Sequence, residues 1–254
     1  MTLKEKLRSR KRTIGSWVTI GHPDVVEIMA TAGFEWLTLD MEHTAMSLET
    51  ARSLLSVMKS HQIQGLIRVA GNDEILIKRS LDMGADGVIV PNIKSREEAL
   101  RAVSFVQYPP VGRRGVGLYR AQNFGMGFDQ YKRDLVERTV LICQIEHIDA
   151  VNAIDEILEV DAIDGFIIGP YDLSGSLGYP GEFDRREVKE ALVKVVKACN
   201  LRKKALGFHS VPPDPALLWE KFEEGYDFAA YSTDFYFLGE KARKDMEWIQ
   251  SKLP

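Results

Sequence analysis

Short apolar runs rich in β-branched residues alternate with longer amphipathic segments along the chain. The runs fall at 13–20 (TIGSWVTI), 35–40 (EWLTLD), 64–69 (QGLIRV), 87–90 (GVIV), 139–146 (TVLICQIE), 165–169 (GFIIG), 205–210 (ALGFHS) and 226–232 (YDFAAYS). Between them, stretches such as PDVVEIMATAG, SLETARSLLSVMKS and DEILIKRSLDMG carry the helical period. Ser47 and either Asn72 or Asp73 are expected N-caps, and Gly33 and Gly84 expected helix stops.

Several of the runs are almost continuously apolar, as strands are when helices cover both faces of a parallel sheet. Eight strand–helix units in 254 residues predict a single (β/α)8 barrel spanning 1–254. A doubly wound open sheet is the alternative, but no glycine-rich phosphate loop follows an early strand. GRRGVG follows Pro109–Pro110 rather than a strand. The segment 108–138 reads as one long irregular loop, a functional or interface element.

Composition narrows this picture rather than changing it. The chain is 45% hydrophobic and 28% charged, with a net charge of −4 and no long block of one sign. Neither a nucleic-acid groove nor a membrane-surface patch is expected. The basic run KEKLRSRKR near the start reads as a solvated helix. No run approaches a membrane span, no signal-peptide core is visible, and Cys143 and Cys199 sit in apolar surroundings. Those features predict buried thiols and a cytoplasmic protein.

The polar residues are distributed unevenly, and the strand ends hold most of them. Asp40, Glu42 and His43 follow the second strand, and Arg68 lies in the third. Gln144 and Glu146 end the fifth strand, GPYDLSGS follows the sixth, His209 ends the seventh, and Ser232 and Asp234 follow the eighth. In a (β/α)8 barrel these positions converge on the catalytic mouth. Glu146 and Asp172, with no Cys or His cluster nearby, suit a hard divalent cation that keeps positions open for a chelating substrate. Arg68 in an apolar strand needs a carboxylate or an oxyanion; pairing with Asp40 or Glu42 is the purely structural alternative. His43 is the candidate general base. In GPYDLSGS, Gly169 permits close backbone approach, Pro170 stiffens the turn, and backbone N–H groups through Ser174 are placed to meet anionic oxygens.

Together, GFEWLTLDMEHTAM, LIRVAGND, IKRSLDMGADGVIVPNIKSREEA, YPPVGRRGVG, QIEHIDAVNAIDEI and DGFIIGPYDLSGSLGYPG resemble the HpcH/HpaI family of metal-dependent class II pyruvate aldolases. The resemblance implies a barrel of the phosphoenolpyruvate/pyruvate type and reversible cleavage of a 4-hydroxy-2-oxo acid to pyruvate and an aldehyde. It implies Mg2+, Mn2+ or Co2+ on Glu146 and Asp172, Arg68 on the keto oxygen, and Gln144 at the pyruvate end. The backbone of Pro170, Tyr171 and Asp172 would receive the carboxylate, with Asp40 and Glu42 positioning Arg68 and water. His43 would be the base, in a dyad with Asp82. It further implies a homohexamer, a trimer of dimers, with the last helix on a partner barrel. Asp82 ends the third helix, far from the mouth of its own barrel, so a neighbouring subunit is the expected source of that dyad. His22, Tyr171 and Gln122–Asn123 are departures that bear on specificity, His22 being otherwise a helix-start residue.

Three other readings stay open. A Schiff-base aldolase needs a lysine on a strand, and no candidate strand carries one. An enzyme acting on oxaloacetate, in the manner of a citrate synthase, would use the same residues. A non-catalytic barrel that binds 2-oxo acids would keep the fold without turnover.

Overall fold

A computed structural model describes residues 1–253 of the chain. Eight parallel strands close into a barrel in sequence order: β1 (Thr13–Val18), β2 (Trp36–Asp40), β3 (Gln64–Arg68), β4 (Gly87–Val90), β5 (Val140–Ile145), β6 (Gly165–Ile168), β7 (Leu206–Ser210) and β8 (Phe228–Thr233). The early helices are α1 (Leu3–Arg8), α2 (Pro23–Thr31), α3 (Leu48–Ser60), α4 (Glu74–Asp82) and α5 (Arg96–Val106). After β4 and β5 come α6 (Phe128–Arg138), α7 (Ile148–Asn152) and α8 (Ile154–Ile157). The last are α9 (Pro170–Ser176), α10 (Arg186–Leu201), α11 (Pro215–Glu223) and α12 (Asp234–Gln250). Ser47 and Asp73 cap α3 and α4 through their side chains, and Gly33 and Gly84 follow α2 and α4 with left-handed φ of 91° and 95°.

Strand alternation divides the apolar residues into two cores. Val18, Leu37, Leu39, Ile67, Val88, Cys143 and Ile168 face outward and pack under the helices. Trp17, Trp36, Leu66, Ile89, Ile142, Ile167 and Phe228 fill the barrel interior. Large interior rings need small neighbours. A Cβ on Gly15 would lie 2.1 Å from the Trp36 ring, and one on Gly207 would lie 2.2 Å from Phe228. Removing a ring of this kind costs about 3–5 kcal/mol.

The strand-start end is closed by α1, whose Leu3 and Leu7 join the interior core. Its basic run is only partly solvated. Lys4 is buried, with its Nζ 3.0 Å from Asp164 Oδ2, and Arg8 Nε lies 2.6 Å from Asp164 Oδ1. Arg10 Nε lies 3.0 Å from Asp227 Oδ2. These acids belong to a repeat that sequence patterning missed: Asp86, Asp164 and Asp227 immediately precede β4, β6 and β8. Each accepts a backbone N–H from the preceding strand, at Gly65, Leu141 and Leu206 respectively.

The segment expected to be one irregular loop contains α6. Only Leu135 of that helix is buried, so its apolar stripe is too thin to show a period. Within the loop before it, fully enclosed Arg114 lies 5.0 Å from the Tyr108 ring and 5.5 Å from the Tyr131 ring, its guanidinium bonded to Asp82. Gln122 is also enclosed, bonding the Tyr108 hydroxyl, so it anchors the loop. Cys143 and Cys199 are free and buried, and burial pushes both thiols up, Cys199 to about 12. Among the described residues, no helix is long and apolar enough to cross a membrane.

Candidate active site

Adjacent strands β2 and β3 end in register, with Asp40 beside Arg68. The Asp40 carboxylate therefore takes the guanidinium in a two-point pair, from Nε at 3.0 Å and Nη2 at 2.7 Å. Asp40 Oδ1 also accepts the N–H groups of Glu42 and His43, at 3.0 and 3.3 Å, folding the chain sharply past the strand. Burial pushes the Asp40 carboxyl up, but the Arg68 hydrogen bond and charge and those N–H groups outweigh it and hold the group below the ordinary range. Arg68 lies with its Cζ 4.3 Å from the Trp17 ring.

The same fold brings Glu42 and His43 to the mouth. Glu42 Oε2 is 3.3 Å from Arg68 Nε and 3.6 Å from His43 Nε2, yet makes no hydrogen bond. Burial, with help from Asp40 and Asp172 and against Arg68, raises the Glu42 carboxyl. The His43 side chain is 59% exposed, so it is open to an arriving substrate.

Glu146 follows β5 and is buried, accepting the Asn92 N–H at 2.7 Å on Oε1 and the Gln144 amide on Oε2. Burial first, then the charges of Glu42 and Asp172, push its carboxyl up to about 7. Gly169, at the start of α9, makes this approach possible: a Cβ there would lie 2.6 Å from Glu146 Oε2 and 2.8 Å from Gln144 Nε2. Asp172 and Tyr171 stand exposed in the first turn of α9, after Pro170. Tyr171 packs edge-on against Phe183. Ser174 is fully buried, its hydroxyl donating to Tyr171 O at 2.8 Å and accepting from Gly181 N at 2.9 Å. It braces the turn rather than offering a free donor.

Asp82 lies apart. It is the last residue of α4, 2.6 Å from Arg114 Nη2, and borders a surface recess lined also by Glu49, Arg52, Arg79 and Tyr119. The structure thus gathers Asp40, Glu42, His43, Arg68, Gln144, Glu146 and Asp172 but leaves Asp82 outside the group, where its position in the helix placed it. His22 caps α2 through Nδ1, its helix-start role.

Sequence reasoning missed Asn92, which turns with φ 55° directly after β4 to hold Glu146. Its signal was the strand-end position itself. Asp234 was noted without a role; its carboxylate accepts the Thr19 and Ile20 N–H groups, both at 2.8 Å, and so fixes the loop after β1.

This donor set fits a divalent cation. Glu146 and Asp172, as two oxygen ligands, would leave most positions of a hard ion to water or substrate. The buried Glu42 Oε2 and Gln144 Oε1 have no hydrogen-bond partner, and Glu146 is raised by burial and then by the charges of Glu42 and Asp172, both of which a cation would offset. Among the described residues, no group of three or more His, Cys, Asp or Glu side chains is arranged to hold a metal alone.

The family model described as HpcH/HpaI aldolase/citrate lyase matches residues 13–237. The chain belongs to this family. A hydroxypyruvate/pyruvate aldolase of Sagittula stellata is 37% identical over 232 residues, covering 91% of this chain and 90% of the relative. A 2-keto-3-deoxy-L-rhamnonate aldolase of Salmonella typhi is 36% identical over 233 residues, covering 91% and 86%. Among solved structures, an HpcH/HpaI aldolase from Desulfitobacterium hafniense superimposes with a TM-score of 0.90 at 32% identity, covering 100% and 98%. The HpcH/HpaI assignment bears out the expected barrel and the expected enzyme class, a carbon–carbon lyase.

Proposed function

We propose that this HpcH/HpaI family member is a divalent-metal-dependent aldolase that reversibly cleaves a 4-hydroxy-2-oxo acid into a pyruvate-type 2-oxo acid and an aldehyde. The observation that carries this reading is the charge imbalance at the mouth. The charges of Glu42 and Asp172 both bear on Glu146, and Arg68, already paired with Asp40, lies 3.3 Å from Glu42.

Glu146 and Asp172 would hold the ion, Mg2+, Mn2+ or Co2+, which supplies Lewis-acid polarisation of the keto and carboxylate oxygens. The Nε–Nη2 edge of Arg68 is held by Asp40. The rest of the fork meets the keto oxygen, where negative charge grows as the C3–C4 bond breaks. Gln144 lines the pyruvate end, and the backbone from Gly169 through Asp172 receives the carboxylate. His43 takes the proton of the C4 hydroxyl in cleavage and returns it in condensation. Glu42, 3.6 Å from His43 Nε2, orients the ring and water.

Asp82 completes the reading through assembly. A neighbour's Asp82 would hold the His43 ring, and a hexamer built as a trimer of dimers would bring the two together. The uncovered apolar side chains of α12, including Leu238, Met246 and Trp248, suit packing on a partner barrel.

The test is a panel of aldehydes offered with pyruvate and Mg2+ or Mn2+, with products identified by mass spectrometry. Metal-dependent formation of a 4-hydroxy-2-oxo acid supports the reading. Citrate-type products formed when oxaloacetate is offered with an acyl thioester, with no aldol product from any aldehyde, would replace it with the carbon–carbon bond-forming reading, and binding of 2-oxo acids without any product would replace it with a binding barrel.

A further inference from the structure

One polar side chain inside the barrel has no work in this scheme. His209 lies one residue before the end of β7, on the interior face it shares with Gly207. Its ring packs against Trp17, with centroids 5.3 Å apart at 53°. Trp17 in turn touches the Arg68 guanidinium, so the three side chains form one contiguous group beside the proposed keto-oxygen site. His209 Nε2 is sealed from solvent and has no hydrogen-bond partner, although the ring as a whole is only partly enclosed. A buried ring nitrogen without a partner is destabilising, and a ligand that supplies the partner gains from it. Burial and the Arg68 charge push the imidazole down to about 3 against the pull of Asp40. The ring is therefore neutral at working pH, with one nitrogen donating and the other accepting.

The closed strand order says which part of a substrate the ring meets. Arg68 on β3, Glu146 after β5 and Asp172 after β6 lie on one arc of the closed strand order, Arg68 drawing oxygen directly and the two carboxylates through the cation they would hold. Trp17 on β1 and His209 on β7 lie on the remaining arc, meeting the first at the Trp17–Arg68 contact, with Ala230 of β8 in register with His209 between them. A 2-oxo acid whose oxygens face the first arc turns its C3 carbon to the second. A bare methyl there leaves the imidazole unpaired, whereas a hydroxyl on C3 both donates and accepts. A half-turn of the ring about its two-fold χ2 torsion brings either edge to the ligand.

We propose that His209 is a specificity residue whose ring nitrogen pairs with a hydroxyl on C3 of the 2-oxo acid, so that the site takes hydroxypyruvate in preference to pyruvate as the carbon nucleophile. This rests on the aldolase reading above. The role is invisible to a motif search because it belongs to a strand-end position rather than to a sequence pattern.

The test compares kcat/KM for hydroxypyruvate and pyruvate, each with Mg2+ and glycolaldehyde as common acceptor, in the unaltered enzyme, His209→Leu and His209→Gln. Calorimetric dissociation constants for both acids on the Mg2+-loaded protein accompany the kinetics. The unaltered enzyme should favour hydroxypyruvate about tenfold or more, as expected for a site built to pair a substrate hydroxyl. His209→Leu should lower that ratio about tenfold, and His209→Gln, which keeps a polar end, should retain most of it. His209→Phe replaces the leucine variant should circular dichroism show that variant unfolded. A ratio equal in the unaltered and apolar variants, in kinetics and in binding, overturns the proposal while leaving the aldolase reading intact. Failure of the unaltered enzyme to turn over either acid overturns both.

Discussion

At the strand-start end of the barrel, Asp164 receives Lys4 Nζ at 3.0 Å, Arg8 Nε at 2.6 Å and the Leu141 N–H at 2.9 Å. At the other end Glu146 receives only the Asn92 N–H and the Gln144 amide, and faces the charges of Glu42 and Asp172. Both carboxylates are buried. Asp164 is answered by two bases of its own chain, and the outcome is a pinned N-terminal helix. Glu146 meets like charge, and there we propose a place for a cation from outside. Asp86 shows that the division is one of degree, since burial raises its carboxyl and the Gly65 N–H, Lys59 and Arg120 only partly offset this. A buried acid marks chemistry here when its own chain leaves it short of positive charge.

The sharpest way to break the contrast is to neutralise each end in turn. Glu146→Gln and Asp172→Asn should each abolish metal binding by calorimetry and reduce turnover to background, while circular dichroism stays native. Retained metal-dependent turnover in both would remove the ion from the site. Asp164→Ala should do the converse, costing about 3–5 kcal/mol of stability by leaving Lys4 buried without its partner, with kcat per folded molecule preserved. Urea unfolding beside steady-state assays reads both quantities.

Arg68→Ala should lower kcat by about 10²–10³-fold, equivalent to about 2.7–4 kcal/mol, because the lost donor acts where charge develops. An effect confined to KM would reassign Arg68 to simple binding. The smallest effect concerns pH. Glu146 titrates near 7 when folded, against an ordinary value of 4.5, so the folded state holds its proton over a range where the unfolded state has lost it. The metal-free protein should keep full stability from this group below pH 4.5, then lose up to about 3 kcal/mol as pH rises to about 7 and beyond. Thermal or urea unfolding across that range should show the decline, and Glu146→Gln or saturating Mg2+ should flatten it.

How far the sequence discloses all this depends on how local each cause is. The eight strands stand out because continuous burial requires continuous apolar runs, and β4 lies within the expected limits of 87–90. The asymmetry of the mouth was equally legible, since strand ends are sequence positions and Asp40, Arg68 and Glu146 are read directly from them. Helix α6 was hidden because a single buried leucine leaves no stripe to read. The N-terminal basic run looked solvated because its partners, Asp164 and Asp227, lie more than 150 residues away. The place of Asn92 under Glu146 and the solitary Nε2 of His209 depend on strand register and on neighbours across the barrel. Chain spacing marks both only as strand-end positions and says nothing of the neighbours that either side chain meets.

The proposed stabilisation of negative charge on a 2-oxo acid at the mouth, with the help of a divalent ion, can be tested before any aldehyde is known. Proton NMR of pyruvate in D2O follows exchange of its methyl hydrogens, which requires the same loss of a C3 proton and the same charge at the keto oxygen. The account predicts exchange that needs both the enzyme and Mg2+ or Mn2+, stops on chelation, and is absent in Glu146→Gln and strongly slowed in Arg68→Ala. Pyruvate that binds to the metal-loaded enzyme yet exchanges no faster than in buffer with the metal alone would contradict it.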